Sequence, residues 1–70
     1  MTPQWTHKIV KSQRGAQGQW FRHPGVAATS ESAAIERAEA FAAEQRAAGV
    51  TGTRILIETR GGRLVKEIRV

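Results

Sequence analysis

One segment of the chain, between Thr29 and Gly49, carries the signals of an α-helix and is rich in alanine. Thr29 or Ser30 can cap its N-terminus, because a side-chain hydroxyl accepts a hydrogen bond from one of the first N–H groups of a helix. Gly49 favours the left-handed backbone at which many helices end. Residues of one stripe recur at helical spacing: Ile35, Ala38, Phe41, Ala42 and Gln45. A stripe made mostly of alanine lets a helix lie close to a sheet, with the isoleucine and the phenylalanine as its larger contacts.

The C-terminal third predicts a β-hairpin around the pair Gly61-Gly62. Its strands are expected over Thr53–Arg60 and Arg63–Val70, where side chains alternate in polarity. A two-residue loop sets four pairs on one face: Arg60 with Arg63, Glu58 with Val65, Leu56 with Glu67 and Arg54 with Arg69. The other face is more apolar and is expected to pack on the helix, with Lys66 at its rim. It holds Thr53, Ile55, Ile57, Thr59, Leu64, Lys66, Ile68 and Val70.

The N-terminal third predicts two further strands, over Trp5–Lys11 and Gln19–His23, joined by the polar connector Ser12–Gly18. Pro24 interrupts the second strand, because proline donates no backbone hydrogen bond. The following segment, Val26–Thr29, either resumes the extended structure or forms a loop. The predicted order is therefore strand, strand, helix, strand, strand.

This order predicts an α+β fold in a single domain over residues 1–70: a four-stranded antiparallel sheet (ββαββ) with one helix packed on one face. Seventy residues leave no room for a second domain. A chain of this length buries only about 60% of its unfolded surface, so a dimer is an alternative to a monomer. The opposite face of the sheet has no element left to cover it, and it faces solvent or a partner.

Charge is distributed unevenly along the chain. The segment Ser30–Ala48 has four glutamates and two arginines, a net charge of −2, and the rest has nine basic residues and two glutamates, a net charge of +7. Such an asymmetry is expected of a protein that binds a polyanion. The alternative is ordinary solvated surface charge.

Arginine is concentrated on the predicted open face of the sheet, as Arg54, Arg60, Arg63 and Arg69. A guanidinium group can hold a phosphate or carboxylate through two hydrogen bonds. Lys8, Lys11 and Arg22 extend this surface in the prediction. One of Trp20 and Phe21 must also point away from the core if this strand is regular, and an exposed aromatic side chain there, such as Trp20, is a candidate for base stacking or protein contact. For this pair, the alternative is that the strand edge or the loop buries both rings. For the arginines of this face, the alternative to ligand binding is a solvated lattice of arginine and glutamate whose long side chains shield Leu56 and Val65.

Several chemistries are excluded by residue types that the sequence lacks. There is no cysteine for a disulfide, a thiol nucleophile or a thiolate metal site, which favours a cytoplasmic location. No apolar run is long enough to span a membrane, and the N-terminus does not resemble a signal peptide. His7 and His23 have no cysteine or aspartate to complete a metal set, and no nucleophile, base and acid are evident around a pocket. We therefore expect no enzyme activity, no metal and no cofactor.

Gln19-Trp20 in the first hairpin, A-A-I-E-R-A over residues 33–38, I-L-I over 55–57 and G-R-L over 62–64 form one pattern. It resembles a group of small bacterial domains of unknown function, which pair a Trp-containing hairpin with an Ala-rich helix and end in an I-x-x-x-x-G-R-I hairpin. The resemblance spans most of the chain. It implies the ββαββ order and no activity.

A second resemblance is carried by G-T-R-I-L-I-E-T over residues 52–59 and by the helix start Ser32-Ala33-Ala34. These segments are similar to the third strand and the helix start of small phage anti-CRISPR proteins that inhibit type I surveillance complexes. The resemblance implies a non-enzymatic protein that blocks access to DNA by docking on a nucleoprotein.

The leading hypothesis is a basic, non-enzymatic module that contacts nucleic acid or a nucleoprotein through its open sheet face. One alternative is a protein-binding inhibitor or interaction domain from a phage or mobile element. Another is a protein of unknown function that forms a homodimer through an unpaired edge of its sheet.

Overall fold

Residues 4–70 are described by a computed structural model, in which they form one helix and five strands. The elements in chain order are β1 (His7–Arg14), β2 (Trp20–Arg22), β3 (Val26–Ala28), α1 (Glu31–Ala47), β4 (Thr53–Thr59) and β5 (Leu64–Arg69). The predicted α+β class, with one helix and an antiparallel sheet, is confirmed. The structure has five strands where the sequence predicts four, because one edge of the sheet consists of two short strands.

The broken edge strand consists of β2 and β3, which both pair with β1. The main order of the sheet is β2-β1-β4-β5, so the edge formed by β2 and β3 lies on the side of β1 away from β4. The residues between β2 and β3 include Pro24, and proline is tolerated at a sheet edge, where the missing N–H would point to solvent. The second of the two expectations for Val26–Thr29, a loop, is therefore wrong.

The first strand lies further along the chain than predicted. It runs over His7–Arg14 instead of Trp5–Lys11, because the connection that follows it occupies only five residues. The N–H of Gly15 donates to the carbonyl of Gln19 at 2.6 Å, and Gly18 has a φ of 86°. Residues 12–14 of the predicted connector therefore belong to β1.

The helix begins and ends where its capping residues predict. The hydroxyl of Ser30, not Thr29, accepts a hydrogen bond from the N–H of Ala33 at 3.1 Å. At the other end, Gly49 has a φ of 73°, which residues with a side chain rarely adopt. The 17 residues Glu31–Ala47 are continuous helix, and Ala48 is the C-cap that precedes Gly49.

The core lies between α1 and the sheet. Its helical side consists of Ala34, Ala38 and Ala42, each exposed by 1% or less. These small side chains pack against isoleucines of β1 and β4, namely Ile9, Ile55 and Ile57. The fully buried stripe of the helix therefore consists of alanine alone. The larger Ile35 and Phe41, which were predicted as part of it, are only partly buried beside it.

The hairpin between β4 and β5 has a three-residue loop, Arg60–Gly62, instead of the predicted two-residue loop. The carbonyl of Thr59 accepts a hydrogen bond from the N–H of Gly62 at 2.9 Å, and the N–H of Thr59 donates to the carbonyl of Arg63 at 2.8 Å. Loops of this length end in a left-handed residue, and Gly62 has a φ of 93°. The prediction that Arg60 lies opposite Arg63 is therefore wrong.

A β-bulge in β5 then restores the predicted register. The observed pairs are Glu58–Leu64, Ile57–Lys66, Leu56–Glu67, Ile55–Ile68 and Arg54–Arg69. Val65 is the extra residue, so the predicted pair of Glu58 with Val65 is wrong, whereas the pairs beyond the bulge agree with the prediction. The bulge also reverses the predicted faces of two apolar residues. Val65 packs against the core, and Leu64 is 53% exposed.

Gly62→Ala is expected to lower the free energy of unfolding by about 1 kcal/mol, because alanine is strained in a left-handed backbone. Gly61→Ala is the matched control, since Gly61 lacks a left-handed φ and its nearest neighbour would be 3.9 Å from an added Cβ. Urea unfolding of both variants measures the difference. Equal losses in the two variants would contradict the three-residue loop.

Candidate nucleic-acid interface

The face of the sheet turned away from α1 is the candidate site, and we call it the open face. Strand register places on it the polar residues Lys8, Ser12, Arg14, Arg22, Arg54, Glu58, Glu67 and Arg69, and the apolar residues Val10, Trp20, Ala27, Leu56 and Leu64. Within residues 4–70 this face has five basic side chains and two glutamates, whereas α1 has four glutamates and two arginines. The two sides of the molecule therefore differ in charge.

Three arginines lie in a row that crosses the sheet from edge to edge. The register aligns Arg22 of β2 with Ser12 of β1. Ser12 is aligned in turn with Arg54 of β4, and Arg54 with Arg69 of β5. Because neighbouring strands lie about 4.8 Å apart, the row spans roughly 15 Å. We call Arg22, Arg54 and Arg69 the arginine row.

An exposed tryptophan lies beside this row. Trp20 pairs with Arg14 of β1, the next open-face position along that strand after Ser12. The guanidinium carbon of Arg54 lies 4.0 Å from the centroid of the Trp20 ring, and Trp20 is 38% exposed. A planar guanidinium group stacks favourably on an indole ring. Trp20 is thus the aromatic residue on the open face, whereas Phe21 lies on the other face of β2 and is itself 54% exposed.

Glu67 compensates for the two arginines that face each other across β4 and β5. Its Oε1 lies 3.3 Å from Nε of Arg54, and its Oε2 lies 3.7 Å from a terminal nitrogen of Arg69. One carboxylate therefore offsets the repulsion between two neighbouring cations. Since a guanidinium group has five N–H donors, these contacts leave Arg54 and Arg69 with donor capacity for a phosphate.

Glu58 is the second carboxylate of the open face and is largely buried, with 12% of its side chain exposed. Its Oε1 lies 2.7 Å from a terminal nitrogen of Arg22 and 3.8 Å from Nζ of Lys8. Arg22 reaches this carboxylate from β2 across β1. Val10 of β1 is 2% exposed even though no element packs over the open face among the described residues. Charged side chains around Glu58 therefore shield Val10. The predicted lattice, which was to shield Leu56 and Val65, is wrong for Val65, because that residue packs against the core on the other face.

The structure separates the predicted site residues into three groups. Lys8, Trp20, Arg22, Arg54 and Arg69 are all on the open face. Lys11 is not, because it pairs with Ile55 on the face covered by α1, and its Nζ lies 5.5 Å from the centroid of the Phe41 ring. The placement of Lys11 on the predicted binding surface is therefore wrong.

The remaining two predicted residues lie in or next to the hairpin turn. Arg60 is the first loop residue, and its guanidinium carbon lies 5.0 Å from the centroid of the Trp5 ring. Arg63 lies beside Thr59, to whose hydroxyl its N–H donates at 3.1 Å. From Arg54 to the turn, β4 extends by six residues, or roughly 20 Å. The four arginines predicted as one surface are therefore two separate pairs.

Arg14 belongs to the open face, but sequence reasoning assigned it to the connector. The sequence feature that marks the end of this strand is Gly15, because it begins the turn and makes Arg14 the last residue of β1. Continuing the alternation of Lys8 and Val10 through Ser12 would have placed Arg14 on the same face.

No protein-family model, no curated protein and no solved structure matches the chain. The two family resemblances in the sequence therefore stay predictions. Over residues 4–70 the structure has no helix long and apolar enough to cross a membrane. In the same range, no three histidine, aspartate or glutamate side chains are grouped so that they could hold a metal ion.

Proposed function

We propose that this protein is a non-enzymatic module that binds nucleic acid, free or within a nucleoprotein, through its open face. The observation that carries the proposal is the arginine row, which crosses the sheet next to Arg14 and Trp20. Phosphate groups are the natural ligands of such a row, because each guanidinium group can donate two parallel hydrogen bonds to one phosphate.

The charge asymmetry of the molecule favours one orientation of a bound polyanion. The open face attracts phosphate, whereas the glutamates of α1 repel it from the other side. The ion pairs of Glu67 and Glu58 hold Arg54 and Arg22 on the face before a ligand arrives. Holding these side chains in place lowers the entropy cost of ordering them on binding.

Binding through phosphate contacts predicts little preference for base sequence. The helix α1 packs on the opposite face of the sheet and carries the acidic residues, so it is unsuited to enter a major groove. Two surface hollows, of about 480 and 570 Å³, are lined by no histidine, serine or cysteine, and a smaller one of about 170 Å³ beside His23 has no serine, cysteine or carboxylate in its lining. This supports a binding protein rather than an enzyme. We place it in the cytoplasm, on the absence of cysteine.

Fluorescence anisotropy with labelled single- and double-stranded DNA and RNA tests the proposal. We expect micromolar binding at about 50 mM salt that weakens steeply towards about 200 mM. Three to five phosphate contacts predict a slope of log K against log salt of about −2 to −4.5. Lack of binding to every probe at the lowest salt would overturn the proposal and favour a protein partner.

A further inference from the structure

The stack of Arg54 on Trp20 bears on which form of nucleic acid the open face binds. Phosphate contacts alone do not require an aromatic side chain, since duplex and single strand both present phosphates. Trp20 is nevertheless held on the open face next to the arginine row, 38% exposed and 4.0 Å from the Arg54 guanidinium carbon. An aromatic ring beside a row of cations is typical of proteins that bind single strands.

A duplex gives this ring nothing to stack on. Each base within a duplex is covered on both faces by its neighbours, whereas an unpaired base exposes a face to an aromatic ring or a guanidinium plane. The open face is also a broad sheet surface, without an element over it in the described range 4–70 that could enter a groove.

We propose that the open face binds single-stranded nucleic acid in preference to duplex, with one base stacked on the Trp20–Arg54 pair and the backbone along the arginine row. This inference rests on the proposed function and adds the form of the ligand. The Cα atoms of the row span roughly 15 Å across the strands, a distance that a few consecutive phosphates cover.

The chain offers a matched control for the stacking site. Trp5 also lies under an arginine, with the Arg60 guanidinium carbon 5.0 Å from its ring centroid. It lies at the other end of the sheet, beside a shallow hollow that it lines with Lys8, Gly25 and Ala27. Trp5→Leu therefore removes the same kind of aromatic contact without touching the arginine row.

The test compares three labelled probes: a strand of mixed sequence, the same strand annealed to its complement, and a strand of equal length with abasic sites. The full-length protein is expected to bind the intact strand roughly tenfold more tightly than the duplex or the abasic strand. Trp20→Leu removes this preference, whereas Trp20→Phe and Trp5→Leu retain it. Circular dichroism checks that each variant is folded, and the phenylalanine variant keeps the test valid if leucine unfolds the chain.

Equal, salt-dependent binding of strand and duplex would overturn this inference and leave the proposed function standing. An equal loss in Trp20→Leu and Trp5→Leu would overturn it as well, since the effect would then not belong to the arginine row. Failure to bind any of the three probes would overturn both proposals.

Discussion

Ala38→Leu is expected to destabilise the protein by about 2–3 kcal/mol, which is a large part of the stability that so small a domain can have. Ala38 is fully buried at the centre of the contact between α1 and the sheet. Three added heavy atoms at this position must displace the helix from the isoleucines of β1 and β4, because the core offers them no free volume. Thermal and urea unfolding followed by circular dichroism measure the loss.

Ala43→Leu is the matched control for this prediction. Ala43 lies on the same helix but is exposed, and alanine and leucine have similar helix propensities. We expect the control to change stability by less than about 0.5 kcal/mol. If Ala38→Leu unfolds at the same temperature and urea concentration as Ala43→Leu, the close packing of helix on sheet is wrong.

The fold could be predicted from the sequence wherever the signals are local. Ser30 and Gly49 mark the ends of α1 because capping depends on residues within one turn of the helix. The assumption of a two-residue loop predicted that Leu56 faces Glu67 and Arg54 faces Arg69, and both pairs are observed. Cross-strand pairs depend on the register between β4 and β5, and the predicted register of these two pairs is confirmed.

The loop and the bulge between β4 and β5 could not be predicted from alternation. The longer loop shifts the pairing by one residue, and the bulge at Val65 shifts it back. The two irregularities cancel along most of the hairpin, so the sequence pattern is the same as for a two-residue loop without a bulge. Only the face of Leu64 and the position of Arg63 reveal the difference.

The candidate site was predicted in part. Arg54 and Arg69 are neighbours on the open face as expected, because each is next in sequence to an isoleucine that packs on the helix side, Ile55 and Ile68. Arg14 was misplaced because the predicted strand ended at Lys11. Lys11 was misplaced because alternation shows which residues share a face, but it does not show which of the two faces α1 covers. That choice depends on the pairing of β1 with β4, a contact between residues far apart in the chain.

Arg54→Ala combined with Arg69→Ala is expected to weaken nucleic-acid binding at least tenfold near physiological salt. Each lost phosphate contact lowers the salt slope by about 0.7 on a single strand or 0.9 on a duplex, so the slope falls by roughly 1.4–1.8. The reduction is expected on every base sequence, because phosphate contacts carry no sequence information. Anisotropy titrations over several salt concentrations give both quantities.

Two further double variants show whether the position of the arginines or only the net charge of the protein matters. Each removes two positive charges, as does the loss of Arg54 and Arg69. Arg37→Ala with Arg46→Ala changes α1 on the opposite side, and we expect its salt slope to equal that of the wild type. Arg60→Ala with Arg63→Ala changes the hairpin turn, roughly 20 Å from Arg54, and should have a smaller effect than the loss of Arg54 and Arg69. If all three double variants weaken binding equally, net charge alone attracts the polyanion and the arginine row is not its site. If only the turn variant weakens binding, the ligand lies at the other end of the sheet, and the assignment of Arg54 and Arg69 is wrong.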